Sequence, residues 1–215
     1  EHKLTDRLSM QYGLRFSHFN RMGGQPLSEY LDDRPLVYNE SLRLYERTDP
    51  IGETVFKKSE SIKQFTNFEP RLSLAYQLNE DSSVKMGYTR AAQYIHLLSN
   101  TSSVTPIDVW TPSGKYIKPQ LSDQYALGYF RNFRDKVFSM EVEAFYKTVD
   151  NRIDYIDGSD LIGNNTIETE VLNGESRAYG VELLLRKNEG ALTGWIAYTL
   201  SKAEQRTFGE NAGGP

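Results

Sequence analysis

The sequence predicts an all-β chain, an antiparallel meander of long strands that forms part of a transmembrane β-barrel and supplies about seven strands of a larger one. Three observations predict it. Apolar and polar residues alternate with a period of two through long stretches. Most of those stretches run about 10 to 13 residues, beyond the usual five or six of a globular strand and close to the ~9–11 that a tilted strand needs to cross a bilayer. Short turns and long loops then follow each other in strict alternation.

The strands are expected at Leu8–Phe19, Arg71–Leu78, Ser83–Ile95, Leu121–Arg131, Val137–Val149, Ser176–Lys187 and Leu192–Ala203. In the first, Leu8, Met10, Tyr12, Leu14 and Phe16 share one side and Ser9, Gln11, Gly13, Arg15 and Ser17 the other, because successive strand side chains point to opposite faces. The second sets Leu72, Leu74, Tyr76 and Leu78 against Arg71, Ser73, Ala75 and Gln77. The fifth sets Phe138, Met140, Val142, Ala144 and Tyr146 against Ser139, Glu141, Glu143 and Lys147, with Phe145 the one apolar residue on the wet side. A soluble sandwich has the same alternation with its apolar side turned inward.

The connections break that tie. Asn79–Ser83, Asn132–Lys136 and Lys187–Ala191 are short, polar and suited to tight hairpins. Between them lie long loops at 20–67, 96–120 and 150–175, rich in Asn, Ser, Thr, Gly and Pro. This order places every tight turn at one end of the sheet and every long loop at the other, as in outer-membrane barrels. Arg152–Ile156 and Ile167–Leu172 are expected to extend the sheet as a hairpin around DGSDLIGNN, and Leu27–Arg47 to hold a short helix or a strand pair. Residues 1–215 read as a single barrel segment. Both ends look cut, so the chain is expected to be a piece of a longer protein.

Composition bounds the function. Hydrophobic residues make up 38% and mean hydropathy is -0.59, too polar for a large closed core, yet 14 Tyr and 10 Phe are present. A barrel with a wet interior fits, and so does a carbohydrate-binding β protein. A net charge of -4 argues against nucleic acid as a partner. The absence of Cys excludes a disulfide framework and thiolate metal sites. No stretch is apolar for ~18 residues, so no transmembrane helix is expected.

Longer strings carry a resemblance. IKPQLSDQYALGYFRNF, with Pro119, Ser122 and Gly128, resembles the "lkPe.s..yElGyr" strand in the barrel of TonB-dependent outer-membrane receptors. AYGVELLLRK, with Tyr179, Gly180, Val181 and Glu182, is similar to their "a.G.Ele" strand. VEAFYKTVDNRIDYI and WIAYTLSKAE resemble the strands on either side, and NFEPRLSLAYQLNEDSSVKMGYTRAAQ an earlier hairpin of the family. The resemblance implies an outer-membrane receptor of a Gram-negative bacterium. It would import a scarce nutrient such as a siderophore, vitamin, metal chelate or glycan, with energy from a TonB-type coupling protein engaged through an N-terminal plug. That plug lies outside this sequence, so the segment is about a third of such a barrel and would not transport alone.

Residue by residue, most features read as structure. Gly128 and Gly180 fall at inward, mid-strand positions where a missing side chain permits bending or close approach. Phe133, Phe138, Trp195, Phe16 and Phe19 near strand ends suit interfacial girdles, or else ordinary core packing. Glu141 and Glu143, about 7 Å apart, are spaced like glycosidase carboxylates but come from one strand, so no catalytic residue is assigned. Glu182 and Arg186 are expected in cross-strand charge pairs. His2, His18 and His96 lack ligand spacing, and Asp154, Asp157 and Asp160 read as turn residues, so neither metal nor other cofactor is expected.

The loop SNTSSVTPIDVWTPSGKY is the one suited to ligand capture, through Asp108, Trp110, Lys115 and Tyr116, though these side chains equally suit packing against neighbouring loops. The expected partners are outer-membrane lipid, the TonB-type protein and a small-molecule or glycan ligand. With two unpaired edges and an uncovered apolar face, the isolated segment is also expected to self-associate. Two rivals stand beside this reading: a soluble β-sandwich that binds or hydrolyses glycans, and a passive porin-like barrel.

Overall fold

A computed structural model describes residues 2–98 and 109–207. Along the chain run β1 (His2–Lys3), β2 (Leu8–Met22), β3 (Pro26–Glu29), β4 (Leu36–Asn39), β5 (Leu44–Arg47), β6 (Gly52–Val55) and β7 (Ser61–Asn79). There follow β8 (Ser82–Gln93), β9 (Ile95–Leu98), β10 (Val109–Pro112), β11 (Gln120–Phe133), β12 (Phe138–Tyr155), β13 (Val171–Lys187) and β14 (Gly194–Thr207). Eight of these form one sheet in the order β1-β2-β7-β8-β11-β12-β13-β14, every pairing antiparallel. All seven expected strands are there, several extending further toward the loops than the alternation alone reaches. The two-residue β1, on the outer edge of β2, is an addition that no periodicity could signal.

The register aligns the apolar residues into a continuous band. Met10, Leu74, Met86, Leu127, Ala144, Val181 and Leu200 stand opposite one another, strand by strand. One row toward the loops lie Tyr12, Leu72, Tyr88, Tyr125, Tyr146 and Tyr179. Tyr88 packs on Tyr125 at 4.9 Å and Tyr146 on Tyr179 at 6.3 Å between centroids. Above this tyrosine row the same face turns charged, with Arg90, Asp123, Arg177 and Glu204. The Tyr88 hydroxyl donates to Asp123 at 2.6 Å, as an amphipathic ring does where an apolar layer meets a wet one.

Among the described residues nothing covers this band: Leu127 is 52% exposed and Leu200 65%. Its upper border is Phe16 on β2 but Leu200, in the row of Met10, on β14. That is a drop of about six residues over six strand steps, which at ~3.4 Å per residue and ~4.8 Å per strand gives a tilt of roughly 35°. Strands of a membrane barrel tilt by this amount. The apolar side therefore faces lipid, and the sheet is a section of barrel wall.

The opposite face is polar, with three corrections to expectation. Glu182 stands opposite Glu143 and Thr199, and Arg186 opposite Ser139 and Trp195, so neither residue faces an opposite charge directly across a strand. Trp195 thus falls on the polar face by register, outside the lipid-facing girdle. Phe19 also points inward and stacks on Tyr94 at 5.1 Å, whereas Phe16 and Phe68, tilted at 5.4 Å, remain on the apolar side. Gly128 and Gly180 do lie on the polar face. A Cβ on Gly180 would come within 2.6 Å of the Leu200 carbonyl oxygen and 2.7 Å of Ser201 Cβ, so close backbone approach is what this position requires.

The turns at Asn79–Ser82, Phe133–Phe138 and Lys187–Gly194 close one end of the sheet. Arg134, Asp135 and Lys136 carry φ of 48°, 50° and 71°, left-handed backbone that makes the β11–β12 turn tight without a glycine. The long loops rise together from the opposite end, and among the described residues the buried apolar side chains are there rather than under the sheet.

Candidate functional site

The three long loops form one packed headpiece. The first carries the hairpins β3–β6 and β4–β5 and a 3-10 turn at Leu31–Asp33, so the stretch expected to hold a helix or a strand pair has both. The second carries the hairpin β9–β10. In the third, β12 and β13 stay paired up to Tyr155 and Val171. The expected hairpin is shorter than the sequence implied, because Ile167–Thr169 turns as 3-10 helix and pairing begins only at Val171.

Two apolar clusters fasten the loops to each other. Leu36 of the first loop packs with Ile156 and Leu172, with Tyr45 against them. Leu98 and Ile117 of the second pack with Leu161 and Val171 of the third. These residues are far apart in sequence, and burial of each large side chain contributes about 1.5–3 kcal/mol.

Polar links complete the joint. Arg47 donates to Glu170 from Nε at 2.7 Å and from a terminal nitrogen at 2.8 Å, and also to the Gly158 carbonyl at 2.9 Å. The buried Glu170 accepts further from the Asp160 amide at 2.8 Å and from Asn164 at 3.1 Å. Burial pushes the Glu170 carboxyl up, but Arg47 and these donors outweigh it and hold the group below its ordinary value. Tyr30 is buried, its hydroxyl donates to Glu168 at 3.1 Å, and desolvation together with the Glu168 charge raises its pKa.

Of the four residues expected on the second loop, Asp108 lies outside the described residues. Trp110 sits on β10 opposite Leu97 and is 67% exposed, an aromatic face open to solvent. Lys115 pairs with Asp33 of the first loop at 2.5 Å and lies 5.1 Å from the Tyr116 ring centroid. Tyr116 is buried: its hydroxyl donates to the Ser28 carbonyl at 3.0 Å, and its ring meets Tyr30 edge-on at 5.4 Å. Lys115 and Tyr116 thus hold the second loop against the first, and Trp110 is left facing outward.

Beneath the second loop the buried His96 shares a hydrogen bond with Ser113 at 2.9 Å, with Gln120 at 3.5 Å from the other ring nitrogen. Ser113 is itself fully enclosed, so the pair braces the β9–β10 hairpin and has no access for a substrate. Desolvation lowers the His96 pKa. Asp154 accepts from Gln205 and Thr207, and Asp160 from the Ile162 amide, which are structural roles. Among the described residues, no group of three or more His, Asp or Glu is placed to hold a metal ion. Sequence reasoning missed Arg47, Glu170 and Tyr30, whose partners lie in other loops, and Ser113, whose partner His96 is 17 residues away across the β9–β10 hairpin, because no local pattern marks any of them.

Comparison with known proteins agrees with the geometry. The family model described as TonB dependent receptor-like, beta-barrel, matches residues 1–215. No curated protein matches the chain. Among solved structures, the FrpB iron transporter of Neisseria meningitidis (F5-1 variant, apoprotein form) is similar at a TM-score of 0.56 and 14% identity, over 98% of this chain and 26% of that one. The alcaligin outer-membrane receptor FauA of Bordetella pertussis is similar at 0.53 and 16%, over 98% and 30%. The ferric-catecholate import receptor Fiu of E. coli K12 is similar at 0.51 and 17%, over 95% and 26%. The chain therefore spans between a quarter and a third of the length of these structures. A tilted antiparallel wall, apolar on the lipid side and crowned by packed loops, together with the family match along all 215 residues, establishes that the chain belongs to the TonB-dependent receptor β-barrel family.

Proposed function

We propose that this chain is a section of an outer-membrane receptor that imports a scarce nutrient by energised transport, with an iron chelate such as a siderophore as the foremost substrate class. The observation that supports it most is the combination of a lipid-facing wall with a preorganised loop headpiece at one end. A passive pore needs the wall alone, whereas a receptor needs a shaped surface that holds its ligand before transport. The similar structures are an iron transporter, an alcaligin receptor and a ferric-catecholate import receptor. Energy would come from a TonB-type protein acting through a plug domain, and the setting would be the outer membrane of a Gram-negative bacterium.

On this reading Trp110 contacts the ligand, with Asp108 two residues before it in sequence, while Lys115 and Tyr116 fix the loop that presents Trp110. An exposed indole offers a large rigid face at low entropic cost. The test is uptake of radiolabelled iron chelates by cells expressing the full receptor, with and without the energy-coupling protein. Uptake that needs the coupling protein, and ligand binding weakened about 5- to 50-fold by Trp110→Ala, is the expected result. Uptake indifferent to the coupling protein would favour the passive pore. Recovery of the full protein in the soluble fraction would favour the glycan-binding sandwich.

A further inference from the structure

At the turn end of the wall, cations gather on the lipid-facing side without carboxylate partners. Register places Arg131 opposite Met140, Phe133 opposite Phe138, and Phe138 opposite Lys187, all on the apolar face. The Arg131 guanidinium lies 4.9 Å from the Phe133 ring centroid. Arg134 and Lys187 both lie 6.0 Å from the centroid of one ring, Phe138. Among the described residues, none of these three cations has a carboxylate within ion-pairing distance. The β11–β12 and β13–β14 turns hold two acids, Asp135 and Glu189, against these three cations and Lys136, while Glu80 and Asp81 belong to the neighbouring β7–β8 turn beside Arg131.

Beside them runs a groove of about 420 Å³, lined by Phe133, Phe138, Leu185, Leu192, Trp195 and Ile196. Two cations gathered about one ring favour an anion that binds near both. A phosphate group meets that need, since guanidinium and ammonium donors bind its oxygens strongly and basic pockets at a membrane surface select anionic head groups. The adjoining groove offers an acyl chain a bed of aromatic and aliphatic side chains. A free inorganic anion would use the cations and leave the groove unexplained.

We propose that this groove is a binding site for one anionic phospholipid of the turn-side leaflet, with its phosphate among Arg131, Arg134 and Lys187 and an acyl chain along Phe133, Phe138 and Leu185. The proposal rests on the membrane-barrel reading. Bound there, the lipid would join the β11–β12 and β13–β14 turns and fix the height of the wall in the bilayer.

The test is native mass spectrometry of the full-length receptor with equimolar phosphatidylglycerol and phosphatidylethanolamine of the same chain length. The expected result is a preference for phosphatidylglycerol of about fivefold or more, falling to near parity in Arg131→Gln/Arg134→Gln/Lys187→Gln. A second measurement avoids dependence on that variant. Brominated phosphatidylglycerol should quench a tryptophan introduced by Phe133→Trp, isolated as the difference from the unaltered receptor, more than brominated phosphatidylethanolamine does. Equal retention of the two lipids by the unaltered receptor, or an unchanged preference in the triple variant, would overturn the site and leave the barrel standing. Failure of the receptor to fractionate with membranes would instead overturn the barrel reading beneath it.

Discussion

Arg47 and Glu170, 123 residues apart in sequence, are joined by two parallel hydrogen bonds that tie the first extramembrane loop to the third. Glu170 is almost wholly buried and Arg47 is part-exposed, so removing the cation leaves a desolvated carboxylate with only neutral donors. Arg47→Ala is expected to cost the headpiece about 1–3 kcal/mol, discounted from a fully buried pair because Arg47 is partly in water. Faster amide exchange between Ile156 and Asn173, with the barrel strands unchanged, is the readout. Arg47→Met combined with Glu170→Leu should restore protection, because it removes both charges.

The same carboxylate makes the headpiece acid-sensitive. Its pKa is held below the ordinary carboxylate value, so its contribution is fully present above that value and is lost as pH falls through the depressed native one. Pepsin digestion of the full receptor between about pH 5 and about pH 2 should show the third loop becoming cleavable before the barrel yields. In Glu170→Gln that pH dependence should flatten.

Gly180 and Gly87 form a matched pair on the polar face. A methyl at Gly180 meets the Leu200 carbonyl oxygen of β14 at 2.6 Å and the Ser201 Cα at 2.9 Å, whereas one at Gly87 meets nothing within 4 Å. Gly180→Ala is expected to cost about 1–3 kcal/mol through forced separation of β13 and β14, and Gly87→Ala to be near neutral. The temperature at which the barrel loses its compact form on an unheated detergent gel would separate the two.

How far the sequence reveals this molecule depends on the range of the interactions. Leu8–Phe19 and Val137–Val149 were legible because period-two alternation is a local property, and Arg134–Lys136 because a short polar run between two strands leaves room only for a turn. Orientation was legible through the ordering of short and long connections. The headpiece was not. Leu36 with Leu172, Tyr30 with Glu168 and Arg47 with Glu170 meet only once the strands have set the loop bases side by side. Tyr116 illustrates the limit, since its residue type and loop position fit ligand capture and loop packing equally, and burial against Tyr30 is visible only in three dimensions. Trp195 illustrates another: proximity to a turn suggested the girdle, but the register puts it opposite Arg186.

The apolar-out orientation of the wall is the claim on which the rest depends, and its energetic signature is depth-dependent. Leu127→Arg, mid-band on the lipid face, should destabilise the barrel by about 2–4 kcal/mol, whereas Ala126→Arg, one residue away on the polar face, should be much milder. Chemical unfolding of the full receptor in lipid would give both values.

The most direct measurement is a cysteine scan along β11, which is clean because this segment contains no native cysteine. Single spin labels at 124, 125, 126, 127 and 129, in the full receptor with any cysteine elsewhere replaced, would be probed with lipid-soluble oxygen and a water-soluble nickel chelate. Strong oxygen access at 125, 127 and 129, with oxygen access low at 124 and 126, is the predicted result. The reverse pattern, or oxygen access equal at all five positions, would contradict a wall whose apolar face meets lipid.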